Sequence, residues 1–372
     1  MSKNVNENLS RLMQQQNLLL ERQNQLLEQL AVGRQPLPSN GGGYVEDIDH
    51  DEMRSGYIVT SHRKKLWNAQ IAMIKEFDRI CRKYNLRWFA DSGTLLGAVR
   101  HGGFIPWDDD VDVVMFRPDY MKFQSVIEDE LKDHPYYSVW QWFNYRLETD
   151  EPSDQTDMSL PLVSKEQQYK YPLWAPFFPI IKIMDDRTTA VNPDDRKNVY
   201  RSVFLDVFPL DMCPPFEDQK TATVFEMNRE LLAATVLSEA LKEAVESGAE
   251  LLLQREDLLK ILRLPYKQRA RLFERTAAEN FFQTPYVGYI NKFLRPMKAY
   301  SLNAKIYEDV VYLPFEKIEV PAPKGYEEYL STVYGDWHKF VINHQHLREW
   351  STEIPYAEYL RANQLEKQSK ET

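Results

Sequence analysis

Residues 108–113 have the sequence DDDVDV, in which acidic and apolar residues alternate. Residues two apart in a β-strand point to the same face, so this alternation predicts Asp110 and Asp112 on one face and Val111 and Val113 in the core. Two carboxylates whose Cα atoms lie about 6–7 Å apart can bind one hard cation through their oxygens. The pattern therefore predicts a site for Mg²⁺ or Mn²⁺.

A phosphate site is predicted where a short apolar run, residues 88–90, gives way to Ser92, Gly93 and Thr94. A helical pattern starts at these three residues, so they would form the first turn of a helix. The free backbone N–H groups and the dipole of a helix N-terminus favour phosphate. We therefore expect Ser92, Gly93 and Thr94 to hold the phosphates of a donor through backbone and hydroxyl contacts.

A third carboxylate and three cations complete the candidate site. Asp206 is the one acid of the apolar strand pattern 203–209, and such a charge is rarely buried without a partner or a metal. Lys182 is likewise the one charge of a second apolar segment. Arg100 and His101 are further cations that follow the phosphate segment. All three could balance the donor's charge, or could be surface and ion-pair residues.

Three stretches of the chain resemble the LicD family, relatives of fukutin and fukutin-related protein. The first is GTLLGAVRHGGFIPWDDDVDV, residues 93–113, and the second is the Asp-hydrophobic-Phe-Pro-Leu-Asp pattern of residues 206–211. The third, residues 311–337, is similar to the C-terminal part of these proteins. The resemblance implies the nucleotidyltransferase superfamily fold, an α+β structure with a mixed sheet flanked by helices.

The same resemblance implies a metal-dependent transferase of substituted phosphates. It would move a group such as phosphocholine from a CDP-linked donor to a hydroxyl of a cell-surface glycan or its lipid-linked precursor. Asp110, Asp112 and Asp206 would bind one or two metal ions. An acid that is not saturated by metal can accept the proton of the acceptor hydroxyl, and either Asp206 or Asp108 suits that role. Choline, ribitol and glycerol all remain open as the head group.

Two other functions remain open. A nucleotidyltransferase on the same fold would transfer a nucleoside monophosphate and release pyrophosphate, whereas the LicD-type reaction yields CMP and a phosphodiester. The second alternative is a non-catalytic scaffold that oligomerises through the N-terminal segment. The Asp-Val-Asp alternation argues against a scaffold, because a protein without a site gains nothing from such costly acids.

Composition argues against several classes of partner. The 372-residue chain carries a net charge of −10, which disfavours general binding to nucleic acid or to anionic membranes. Two isolated cysteines, Cys81 and Cys213, make no disulfide framework and suit a reducing compartment, so we expect a cytoplasmic protein. No run approaches the roughly 20 apolar residues of a membrane span. Contact with a lipid-linked acceptor would therefore be peripheral, at the inner face of the membrane.

Composition and periodicity also predict the domain organisation. Leucines and glutamines at 3-4 spacing in residues 1–31 predict either a coiled coil, which would make the protein a homo-oligomer, or a Gln-rich tail. The remaining boundaries are a flexible linker at 32–60, a catalytic core at 61–216, a helical lobe at 217–300, the C-terminal part of the LicD-like domain at 301–350 and a polar tail at 351–372.

Several elements of the core are predicted with bounds. Apolar periodicity predicts a helix from Ser61 to Tyr84, with Ser61 as its N-cap. The strand 203–209 is expected to end at a turn that contains Asp211. Near the C-terminus, a hairpin over 313–320 and a helix over 326–334 are expected.

Overall fold

The structure, a computed structural model, describes residues 44–141, 146–147, 162–163, 179–191, 202–215, 217–236, 241–242, 245–248, 251–290, 301–342, 349–355 and 358. The α-helices in these ranges are α1 (Ser61–Lys83), α2 (Ser92–His101), α3 (Arg117–Leu131), α4 (Gln219–Val236), α5 (Arg255–Leu262), α6 (Tyr266–Glu279) and α7 (Tyr326–Tyr334).

The strands in the same ranges form one large sheet and several two-stranded ribbons. They are β1 (Glu52–Arg54), β2 (Tyr57–Val59), β3 (Phe89–Ala90), β4 (Asp112–Phe116), β5 (Tyr137–Gln141), β6 (Arg146–Leu147), β7 (Leu162–Val163), β8 (Ile181–Asp185), β9 (Thr189–Val191), β10 (Val203–Met212), β11 (Tyr286–Gly288), β12 (Leu302–Asn303), β13 (Val310–Phe315), β14 (Ile318–Pro323) and β15 (Glu349–Ser351).

The large sheet is organised around β10, its longest strand. Within the described residues this sheet has seven strands, and β10 pairs in parallel with β4 and antiparallel with β8. The outer neighbours are β3 beside β4, β5 beside β8, and β11 followed by β12 at the end of β10. The sheet is thus mixed and flanked by helices, which confirms the expected α+β class.

Helix α1 begins one residue earlier than its predicted cap implies. Thr60, in extended conformation, is the N-cap, and its side chain accepts a hydrogen bond from the Arg63 N–H. Ser61 is the first helical residue, so the prediction that it caps the helix is wrong. The apolar face predicted from periodicity is buried, as Ile71, Ile74 and Phe77 show.

Half of the predicted flexible linker is folded. In residues 44–60 the strands β1 and β2 form a hairpin, and Val45 and Val59 are buried. Arg54 joins this hairpin to Glu316 through a two-pronged ion pair. The polar composition of residues 44–60 did not indicate an ordered hairpin, because ion pairs rather than buried apolar side chains attach most of it to the rest of the structure. Residues 1–31, and with them the predicted coiled coil, lie outside the described residues.

The region predicted as a helical lobe, 217–300, is not helical throughout. Helices α4, α5 and α6 lie in it, with Pro265 at the N-cap of α6 as the sequence indicates. Strand β11, however, pairs with Asp211 and Met212 at the end of β10 and therefore belongs to the central sheet. None of the helices in the described ranges is both long and apolar enough to span a membrane.

The C-terminal elements agree with the sequence. Strands β13 and β14 form the expected antiparallel hairpin, and α7 spans the predicted residues and ends at Gly335, whose φ is +70°. Strand β15 pairs with β9, which brings residues 349–351 beside residues 189–191.

Asp211 is not a turn residue, contrary to expectation. It lies in β10, is buried, and accepts two hydrogen bonds from Arg117 at 2.7 Å each. Arg117 also lies 4.0 Å from Glu274 of α6. The sequence suggested that the charge of Asp211 would place this residue in a turn after the strand. The strand continues past Pro209 because the buried ion pair with Arg117 compensates that charge.

A glycine inside α2 fixes how closely this helix packs against the turn that follows it. A Cβ atom on Gly97 would lie 2.4 Å from the backbone oxygen of Gly103 and 3.2 Å from the backbone nitrogen of Ile105. Backbone atoms cannot move aside as a flexible side chain can. The absence of a side chain at Gly97 therefore allows the turn that leads to the acidic segment to lie close to α2.

We predict that Gly97→Ala destabilises the fold by about 2 kcal/mol, although an alanine inside a helix normally stabilises it. Chemical denaturation measures the effect. Gly102→Ala is the matched control, since its left-handed φ of +64° is strained for alanine but nothing lies within 4 Å of the new Cβ. That control should cost about 1 kcal/mol. An equal or smaller loss for Gly97→Ala would contradict the close packing.

Candidate active site

Strand register brings together two of the predicted acids and the predicted lysine. Asp206 of β10 is the register partner of Asp112 on β4 and of Lys182 on β8. Register partners on adjacent strands share one face of a sheet, with Cα atoms about 4.8 Å apart. The three side chains therefore form a row across the sheet, acid beside acid beside amine.

Asp110 reaches the site from a loop and not from the strand. Strand β4 begins at Asp112, so the prediction that Asp110 belongs to the strand is wrong by two residues. Val111 and Val113 are buried as expected. One carboxylate oxygen each of Asp108, Asp109 and Asp110 lie within 4.8 Å of one another. These three acids therefore converge through the conformation of the loop, which the alternation of residues along a strand does not predict.

Helix α1 holds this acidic loop through its backbone. The Arg63 guanidinium and the Trp67 indole donate to the carbonyl oxygen of Asp108, at 2.7 and 3.1 Å. The Gln70 amide donates to the carbonyl oxygen of Asp109 at 2.8 Å. Residues three and four apart lie on one face of a helix, so a single face of α1 supplies all three donors. These three hydrogen bonds fix the loop through its backbone and not through its carboxylates.

The first turn of α2 lies against the acids. Thr94 accepts a hydrogen bond from the Asp112 backbone N–H at 2.9 Å, which ties the helix to the start of β4. A Cβ atom on Gly93 would lie 2.5 Å from Oδ2 of Asp108. Ser92 has a left-handed φ of +47° and donates its hydroxyl proton to Asp91. The predicted phosphate residues and the predicted acids are thus neighbours.

The electrostatics of the site oppose ionisation of all the acids at once. Burial raises the pKa of Asp112 well above its ordinary value. The negative charges of Asp110, Asp206, Asp91 and Asp108 raise it further, in that order. Without a cation, protonated Asp112 is therefore favoured to a higher pH than in an ordinary aspartic acid.

Lys182 is the cation that offsets these charges. It is 3% exposed, and its ammonium group forms an ion pair and hydrogen bond with Oδ1 of Asp206. The same Nζ atom lies 3.8 Å from the ring centroid of Phe204. A lysine so enclosed by a carboxylate and an aromatic face keeps its charge without full hydration.

Arg100 and His101 are not brought to the acids. Both end α2, about 12 Å along the helix axis from Ser92. Arg100 donates to the backbone oxygens of Trp337 and Lys339, at 2.9 Å each. Burial and the neighbouring guanidinium groups of Arg100 and Arg54 together lower the pKa of His101 to about 4, so this imidazole is neutral at pH 7.

Four residues of the site carry roles that sequence reasoning did not assign. Asp91 is 1% exposed and accepts hydrogen bonds from the hydroxyls of Ser92, Tyr289 and Tyr329. Arg63 holds the acidic loop. A signal existed for Asp91, which directly follows an apolar strand, but the two tyrosines lie 198 and 238 residues away along the chain and gave none.

The donor set fits a divalent metal ion. Carboxylate oxygens are the ligands that Mg²⁺ and Mn²⁺ prefer, and the acidic loop supplies three of them. Asp112 and Asp206, which were predicted to join Asp110 as metal ligands, do not belong to that converging group. The mutual repulsion seen at Asp112 is what a bound cation would relieve. Within the described part of the chain, the acids at 108–110 form the one group of three or more potential ligands whose atoms converge.

We predict that Lys182→Met destabilises the metal-free protein by about 3 kcal/mol, because the substitution leaves buried Asp206 beside other acids. Chemical denaturation in the presence of a chelator measures it. Lys324→Met is the control, since Lys324 forms its ion pair with Asp309 at 2.9 Å on the exposed surface and should change little. Equal effects of the two substitutions would contradict a structural role for the Lys182–Asp206 pair.

We predict that Asp112→Asn stabilises the metal-free protein at pH 7. The pKa of Asp112 is higher in the folded protein than in the unfolded chain. At pH values between these two pKa values the unfolded state binds fewer protons than the folded state, so the stability of the fold falls as the pH rises. Asparagine does not ionise and therefore avoids this loss of stability. The stabilisation by Asp112→Asn should be present at pH 7 and absent near pH 3. Thermal denaturation with a chelator at both pH values tests it. Asp186→Asn, at an exposed turn, should show no such gain.

Comparison with known proteins agrees with this geometry. Residues 85–220 match the family model described as LicD/FKTN/FKRP, nucleotidyltransferase domain. This range contains β3, α2, β4, β8 and β10, and with them Asp91, the acidic loop, Asp112 and Asp206.

Individual relatives match over different lengths. The chain is 25% identical to the lipopolysaccharide cholinephosphotransferase LicD of Haemophilus influenzae over 264 residues, which are 71% of this chain and 86% of that protein. An uncharacterised protein of Rickettsia typhi is 42% identical over 55 residues, 15% of this chain and 18% of its own length. An uncharacterised protein of Caenorhabditis elegans is 29% identical over 97 residues, 24% and 26% of the two chains. Residues 85–220 therefore match the nucleotidyltransferase domain of the LicD family.

Proposed function

We propose that this protein transfers phosphocholine from CDP-choline to a hydroxyl group of lipopolysaccharide or its lipid-linked precursor. The observation that carries the proposal is the row formed by Asp112, Asp206 and Lys182, which lies beside the first turn of α2. The similarity to a lipopolysaccharide cholinephosphotransferase over most of both chains supports the choice of substrate class.

The chain's own residues suit the binding of a pyrophosphate donor. Backbone N–H groups at Gly93 and Thr94, in the first turn of α2, are directed as phosphate ligands are at helix N-termini. Lys182 supplies positive charge from β8, and Arg63 supplies it from α1. Arg100 and His101 are left out of this proposal, because they lie at the other end of α2.

The reaction joins the acceptor hydroxyl oxygen to the phosphorus of phosphocholine and breaks the bond from that phosphorus to the bridging oxygen. CMP leaves with that oxygen. The hydroxyl proton passes to a carboxylate, for which Asp206 and Asp108 are the two candidates, each 8% exposed. Asp206 forms an ion pair with Lys182 and lies beside Asp112 in the strand register.

Asp110, Asp112 and Asp206, with Asp108 as a further ligand, would hold one or two Mg²⁺ or Mn²⁺ ions. Such an ion neutralises negative charge on the transferred group and on the leaving phosphate. The carboxylates themselves need this partner, because burial and the neighbouring negative charges raise the pKa of Asp112 well above its ordinary value.

Cellular location and assembly form part of the same proposal. A cytoplasmic enzyme that modifies a lipid-linked glycan would contact the inner face of the membrane peripherally. Oligomerisation through residues 1–31 remains a prediction from the heptad pattern.

The nucleotidyltransferase alternative is favoured by one finding, the description of the matched domain. It differs in the bond that breaks, and therefore in the products. A mixture of CDP-choline, lipopolysaccharide and Mg²⁺ that yields CMP and a phosphocholine-bearing glycan supports our proposal. Release of pyrophosphate from a nucleoside triphosphate would support the alternative, and the absence of both products would support a non-catalytic scaffold.

We predict that Asp110→Asn, Asp112→Asn and Asp206→Asn each lower the transfer rate by about 10³-fold or more, because asparagine removes a metal-ligating charge while keeping the shape. CMP release measured by chromatography gives the rate. Asp186→Asn is the matched control, since Asp186 lies at an exposed turn and accepts a hydrogen bond from Ser138. Near-normal rates in the first three variants, with loss of activity in the control, would show that the site has been assigned to the wrong strands.

A further inference from the structure

Asp91 is the most enclosed acid of the site. It follows β3 and is the N-cap residue of α2, and its backbone N–H donates to the carbonyl oxygen of Asp112 at 3.1 Å. Its carboxylate, 1% exposed, accepts hydrogen bonds from three hydroxyls: Ser92 and Tyr289 on Oδ2, and Tyr329 on Oδ1 at 2.7 Å. A carboxylate buried to this extent depends on its hydrogen-bond donors, since water no longer solvates it.

The two tyrosines come from elements outside the matched domain of residues 85–220. Tyr289 directly follows β11, which pairs with the end of β10, and Tyr329 lies in α7. Both are buried, and each ring packs edge-on against another aromatic ring, Phe208 for Tyr289 and Tyr307 for Tyr329. The helical region and the C-terminal region thus each send one hydroxyl group to the same carboxylate.

The first turn of α2 has a backbone conformation that needs this support. Ser92 has a φ of +47°, in the left-handed region that residues other than glycine rarely adopt. Its hydroxyl donates to Asp91, and its N–H donates to the Tyr329 hydroxyl at 3.3 Å. Tyr329 therefore contacts both the acid and the first N–H of the helix. The orientation of Gly93 and Thr94 follows from this arrangement, because they are the next residues of the turn.

We propose that Tyr289 and Tyr329 are positioning residues that act through Asp91 to hold the Ser92–Thr94 turn in the orientation that binds the donor's pyrophosphate. The inference rests on the proposed donor site. It assigns to parts of the chain outside the matched domain a specific task in donor binding, in addition to packing. The tyrosines themselves touch Asp91 and Ser92.

Removal of a single hydroxyl group tests the proposal with the aromatic packing retained. We expect Tyr289→Phe and Tyr329→Phe each to weaken the binding of magnesium pyrophosphate by about tenfold, the effect of losing one hydrogen bond to a charged group. Isothermal titration calorimetry with the full-length protein measures this binding without turnover. With CDP-choline as donor, the same variants should raise KM more than they lower kcat. The double variant should weaken binding by less than the product of the two single effects, because both hydroxyls act on one carboxylate.

Tyr120→Phe is the matched control. Tyr120 is fully buried, and its hydroxyl donates to the carbonyl oxygen of Pro179 at 2.9 Å, so the control also loses one buried hydrogen bond. We expect it to lower the Tm and leave pyrophosphate affinity unchanged. Asp91→Asn is a second probe that keeps the shape of the shared acceptor, and it should weaken pyrophosphate binding at least as much as either phenylalanine variant.

The outcomes separate this inference from the proposed function. Pyrophosphate affinities within twofold of the unsubstituted protein in both tyrosine variants and in Asp91→Asn would overturn it, whatever happens to the Tm. Failure of the unsubstituted protein to bind pyrophosphate would also overturn it, because there would be no phosphate site to hold. If the unsubstituted protein binds pyrophosphate but transfers no phosphocholine, only the proposed function fails, and the affinities of the variants still decide the role of the tyrosines.

Discussion

The pairing of Asp206 with both of its neighbours is the constraint on which the site depends. One strand register sets this acid beside Asp112 on one side and beside Lys182 on the other. Acid beside acid is unfavourable in a buried setting, and acid beside amine is favourable. The favourable contact of Asp206 with Lys182 compensates for its unfavourable contact with Asp112. A slip of one residue in β10 would turn Asp206 to the opposite face and remove both contacts.

Elements remote in sequence stabilise the negative charge around this pair. The face of α1 that carries Arg63 and Gln70 donates to the backbone of the acidic loop, which leaves the carboxylates free of those bonds. Tyrosine hydroxyls supply the hydrogen bonds that buried Asp91 requires. Beneath the site, the buried ion pair between Arg117 and Asp211 fixes the start of α3 to the far end of β10. The acidic loop is thus held through its backbone, whereas Asp91 and Asp206 are held through their carboxylates.

Much of the fold could be predicted from local patterns. Apolar periodicity gave α1 and α7, and alternation placed Val111 and Val113 in the core. Errors arose where a polar segment is attached by ion pairs. Residues 44–60 resemble a flexible linker in composition, yet Arg54 binds Glu316 across the structure. Asp211 resembles a turn residue, yet it is buried against Arg117. Composition cannot reveal a partner that lies far away in the chain.

For the site, the sequence alone determined the residue types, the acid-rich segment, the small residues at the start of α2 and the isolated charges Asp206 and Lys182. These signals are local, since each concerns a charge or a small residue inside an otherwise apolar pattern. The tertiary structure decided which of them meet. It joined Asp206 to Lys182 through strand register, moved Asp110 from the strand to a loop, and left Arg100 and His101 at the remote end of α2. It also brought Tyr289 and Tyr329 to Asp91. The physical reason is that hydrogen bonds and ion pairs depend on distances of about 3 Å in space, which sequence separation does not encode.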